Sequence, residues 1–148
     1  MPDFVEIYKL QYERIAQHEN QRLAFSNLVI AITTTALAFA TETSLQSNPV
    51  SFFLLIALLV IINITAIQFI AKSRFWIKHH QARAHAILNE HLPEANKTIS
   101  KIEKINSDND LYKRPNLHKN LHITIIVITI LYSLFIAWPK ISPIVCSI

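Results

Sequence analysis

Residues 50–71 read VSFFLLIALLVIINITAIQFIA, 22 consecutive positions without a charge. As a helix this run exceeds the roughly 20 apolar residues needed to cross a hydrocarbon core about 30 Å thick. It is read as a membrane span, which makes lipid one of the solvents of this chain. The composition agrees. The 148 residues are 51% hydrophobic and 16% charged, with a mean hydropathy of +0.30, whereas soluble domains carry about 25% charge. Beside several spans, a chain of this length has no room for separate substrate and cofactor lobes.

Working outward, residues 23–41 (LAFSNLVIAITTTALAFAT) are also uncharged, though diluted by Ser26, Asn27 and the Thr33-Thr34-Thr35 run. Residues 121–138 (LHITIIVITILYSLFIAW) end in an interfacial Trp138 followed by Pro139, which suits a helix stopping at the headgroups. No cleavable signal peptide is expected, because 22 residues, seven of them charged, precede the first apolar run. Lys9, Arg14 and Arg22 precede the first span, ten further Lys and Arg residues lie between Lys72 and Lys119, and Lys140 alone lies elsewhere. The positive-inside rule then places the N-terminus in the cytoplasm. The expected fold class is all-α: a three-span helical membrane protein with long cytoplasmic helical extensions of spans one and two. Its segments are a cytoplasmic amphipathic helix over 1–22, spans over 23–41, 50–71 and 121–138, an outside hairpin over 42–49, a cytoplasmic helical segment over 72–120 and an outside tail over 139–148.

Local signals refine this organisation. Asp3 and Glu6 form a capping-box pair, and Phe4, Tyr8, Tyr12 and Ile15 fall near one helical face. Nothing between Leu10 and Thr41 breaks a helix. The second span continues to Pro93, with Ile77, Ala84, Leu88 and Leu92 at near-heptad spacing. Ile99, Ile102 and Ile105 suggest a short further helix that the SDND at 107–110 breaks.

Several chemistries are excluded. The chain has no glycine, so phosphate-cradling loops, dinucleotide fingerprints and nucleophile elbows, all dependent on glycine conformations, are missing. Cys146 is the single cysteine and stands third from the end, which rules out an internal disulfide and does not fit a prenylation box. His118 and His122 have helical i,i+4 spacing but no third ligand accompanies them, so no metal and no cofactor is expected. Arg74 with His79 and His80 mimics the Arg/His pair of HEPN ribonucleases at a spacing that chance readily supplies. A juxtamembrane basic belt of Lys72, Arg74, Lys78 and Arg83 touching anionic headgroups explains these residues better. No direct nucleic-acid binding is expected, since nine of the ten acidic residues lie on the same side as the basic ones.

One stripe stands out on the first helix: Glu13, Gln17, Asn20, Ala24, Asn27, Ala31, Thr34, Ala38 and Thr41, every member small or polar. It either packs on spans two and three or forms an oligomer seam or pore lining. Asn63 and Gln68 of span two are further candidates at comparable depth, because amides in hydrocarbon seek partners. The seam candidates are thus Asn27, Ala31, Thr34, Ala38, Thr41, Asn63 and Gln68.

Tyr8-Lys9-Leu10, ENQRLAFSN from Glu19, TTTAL from Thr33 and ARAHAILNEHLP from Ala82 together resemble small prokaryotic transmembrane effectors. These are the SLATT and RipA-like proteins and the membrane effectors attached to retrons and other anti-phage systems. The resemblance covers about a third of the chain. It implies an inner-membrane homo-oligomer, non-enzymatic, held silent by a sensor or inhibitory partner and released to damage the membrane of an infected cell. The alternatives are an accessory or structural subunit of a membrane complex and a membrane-tethered HEPN-like ribonuclease.

Overall fold

The computed structural model describes residues 3–40, 48–109 and 117–145, with the side chains of 105–109 and 137–145 excepted. Four helices make up the described chain: α1, Phe4–Phe39; α2, Pro49–His91; α3, Pro93–Asn109; and α4, Leu117–Val145. Three of them are long and apolar enough to cross a membrane: α1, α2 and the Leu117–Ile136 part of α4.

The helix ends follow from capping chemistry. Asp3 Oδ1 accepts from the N–H of Val5 at 3.2 Å, so the acidic cap starts α1 as expected. Asn48 Oδ1 accepts from the N–H of Ser51 at 3.3 Å, and Pro49 takes the first helical position, where its missing donor costs nothing. Pro93 plays the same role for α3, leaving Leu92 as the joint after α2. Both α1 and α2 run unbroken from their apolar stretches into polar sequence.

Two boundaries differ from expectation. The last helix continues past Trp138 and through Pro139 and Pro143 to Val145. A proline removes one N–H and crowds one carbonyl four residues back, and a hydrophobic helix can absorb that loss. Likewise α3 runs through Ser107 and Asp108 to Asn109, because these residues are weak helix formers by tenths of a kcal/mol and do not forbid the helix. Thr41 and Cys146 lie outside the described residues.

The helices pack as two units. The first comprises residues 1–24 and 69–117. Gln11 and Ile15 of α1 and Ile70, Ser73, Ile77, Ala84 and Leu88 of α2 are its buried positions. Gln11, not Tyr12, continues the buried face of α1, and Leu92 drops out of the α2 stripe because the helix has ended. Ser73 Oγ donates to the His18 carbonyl at 3.1 Å, and the Phe4 ring stacks on His91 at 4.9 Å. α3 is tied back by His85, whose Nδ1 meets Asn96 Oδ1 at 3.0 Å and whose Nε2 meets Glu103 at 3.2 Å.

The second unit comprises residues 25–68 and 118–148. One of its apolar clusters is Ala40, Phe52 and Ile56, with Leu37, Leu55, Tyr132 and Ile136 against it. Little of each apolar stretch is covered. Only 17%, 28% and 17% of the most apolar window of α1, α2 and α4 is buried, so most of this surface is available to lipid or to another chain.

Candidate functional site

A chain of buried polar side chains joins three helices of the second unit. Ser26 and Thr33 come from α1, Asn63 from α2 and His122 from α4, and each is essentially inaccessible. Their spacing explains why they meet. Ser26, Val29 and Thr33 recur by a three and a four, forming the buried stripe of this part of α1, and Ala40, just past its end, extends the line by a double turn.

The hydrogen bonds fix one another's direction. Asn63 Nδ2 lies 2.9 Å from the Leu59 carbonyl, which can only accept, so the amide orientation is set. Its second proton goes to Thr33 Oγ1 at 2.9 Å, and that hydroxyl donates onward to the Val29 carbonyl at 2.8 Å. Asn63 Oδ1 is then left facing His122 Nδ1 at 2.8 Å, and the ring must donate there. In the neutral ring Nε2 is the acceptor, and Ser26 Oγ donates to it at 2.8 Å. Every donor of the set has an acceptor, which a buried polar group in hydrocarbon requires.

Ser26, His122 and Asn63 thus stand as nucleophile, base and orienting group do in acyl-transfer enzymes. Access separates the two cases. All three side chains are closed off, and the backbone N–H groups around Ser26 lie mid-helix in α1, where they are committed to the helix and offer no oxyanion site. What the arrangement can do as it stands is hold three helices together and carry a proton at His122.

Comparison with known proteins finds no matching family model, no matching curated protein and no matching solved structure. The side chains themselves therefore carry the functional reading.

The sequence candidates divide between two faces. Asn27, Ala31, Thr34 and Ala38 are exposed, one helical step round from the buried Ser26–Thr33 stripe. Thr34 satisfies its own hydroxyl on the Ile30 and Ala31 carbonyls at 3.0 and 3.1 Å. The Asn27 amide has no hydrogen-bond partner among the described residues. Beside this line an open groove of about 420 Å³ is lined by Ala31, Ile32, Thr35, Ala36 and Phe39. Asn63 belongs to the internal network instead, and Gln68 is exposed.

Lys72, Lys78 and Arg83 are exposed and Arg74 is half-buried, with Trp76 exposed among them. His79 sits edge-on to Trp76 and His80 and stacks on Phe75. His80 Nδ1 donates to Gln11 Oε1 at 2.9 Å, and burial, then the nearby His18, His79, Arg83 and Arg14, hold its pKa below the usual imidazole value. Among the described residues no three His, Cys, Asp or Glu side chains converge as a metal site would need. Sequence reasoning missed Ser26, Thr33 and His122 as a set. Ser26 and Thr33, seven residues apart and so two turns along one helix face, were the available signal for the α1 members.

Proposed function

We propose that this chain is a membrane-perturbing effector that self-associates in a bacterial inner membrane through the Asn27–Ala31–Thr34 line of α1. The observation that carries this reading is the contrast between two polar stripes on one apolar helix. One stripe is fully satisfied inside the chain, while the other faces outward with an unpartnered amide at Asn27. An amide facing hydrocarbon is costly, and a second copy presenting the same line relieves it symmetrically. The adjoining groove includes the small residues Ala31 and Ala36 in its lining, and a bulky side chain such as Leu28 or Phe39 of another copy would fill it. Lining an interhelical seam with Asn27 and Thr34 gives water a path once the assembly opens. Resemblance to small anti-phage effectors supplies the setting: a partner holds the chain silent, and release arrests the infected cell.

Inducible expression with a membrane-potential dye and parallel RNA integrity tests this reading. Depolarisation should precede growth arrest with RNA intact. An accessory subunit would leave potential and growth unchanged, and RNA loss before depolarisation would indicate the ribonuclease.

A further inference from the structure

The geometry points to the Ser26–His122–Asn63 network as a proton-sensitive latch that holds the 118–136 segment of α4 against α1 and α2 only while the His122 ring is neutral. The direction of the bonds leads here. Asn63 Oδ1 requires a proton on Nδ1, and the Ser26 hydroxyl donates to Nε2, so the closed network accommodates one tautomer of the uncharged ring. Adding a proton at Nε2 turns two donors towards each other. The serine hydroxyl can rotate to accept, but the charge then has no counterion.

The surroundings of the ring make this plain. The parts of α1 and α2 in this unit, residues 25–39 and 49–68, contain no ionisable side chain. The nearest charged positions along those helices are Arg22, one turn before Ser26, and Lys72, nine residues after Asn63. On α4 itself His118 stands one turn earlier, half-buried, with a buried Nδ1 that has no hydrogen-bond partner, and Lys119 follows it. All of these are basic. A carboxylate that could neutralise an imidazolium is missing from every helix face that packs on it among the described residues. Acidification therefore charges a group that the closed bundle cannot satisfy, and α4 separates from the α1–α2 pair. This proposal is independent of whether the chain damages membranes.

The test is nitrogen NMR of the histidine rings, with thermal unfolding of the full chain in micelles from about pH 8 to about pH 5. At neutral pH the His122 signals should show a neutral ring protonated at Nδ1. Wild-type melting temperature should fall on acidification, and His122→Gln, which keeps hydrogen-bonding groups but does not titrate, should lose most of that fall. His80→Gln, in the other unit, should retain the part due to His122. Ser26→Ala keeps the ring but removes the donor that favours its neutral form, so the acid transition should move to higher pH. This variant decides the matter if His122→Gln fails to fold. A ring protonated at Nε2 at neutral pH, an acid transition unchanged in His122→Gln, or one unmoved in Ser26→Ala would each overturn the latch.

Discussion

Two asparagines at comparable depth by sequence, Asn27 and Asn63, have opposite surroundings: the first is exposed and the second buried. Asn63 is enclosed and bonded to Thr33, Leu59 and His122, so Asn63→Leu leaves a ring N–H and a threonine acceptor without partners. That change should lower the stability of the single chain by about 1–3 kcal/mol, read as earlier unfolding in micelles. Asn27→Leu exposes an apolar side chain where an amide had been, so monomer stability should hold while crosslinked oligomer falls. Depth alone could not tell them apart, because the Ser26–Thr33 and Asn27–Thr34 lines, each a pair of polar residues two turns apart, have equal claims until other helices are in place. His80 adds a pH effect in the other unit. Its folded pKa lies below the unfolded value of about 6.5, so its contribution is intact above that pH and is lost as pH falls from there towards the folded value. His80→Gln should remove this component from the pH profile of unfolding.

At the scale of helices, local chemistry was largely written in the sequence. The uncharged run at 50–71, the Asp3 cap and the Pro93 stop each correspond to a described feature of α1, α2 or α3. Pro139 was misleading, since a hydrophobic helix carries through it to Val145. Which face of α1 meets its own neighbours was not legible, because it depends on Asn63 and His122 arriving from helices distant in sequence. Replacing Ala31 and Ala38 by Leu tests the outward face as a unit. Insertion and membrane yield should persist, as leucine is favourable in lipid, while close helix approach is blocked. Crosslinked oligomers should diminish; oligomers at wild-type level would show that this face is not the seam.

For the molecule as a whole, orientation and mechanism are the two questions. Thirteen of fourteen Lys and Arg residues fall on one side if the three apolar helices all span. Cys146, the only cysteine, should then react with a membrane-impermeant maleimide in intact spheroplasts. Protection until lysis would reverse the topology. Mechanism is tested most directly by dye release from liposomes holding the purified chain, with oligomer content measured in the same samples for wild type and Asn27→Leu. Wild type should release dye, and Asn27→Leu should release far less than its remaining oligomer would give if assembly alone set the leak. Wild-type liposomes that assemble oligomers and stay sealed would contradict a membrane-perturbing role for this chain.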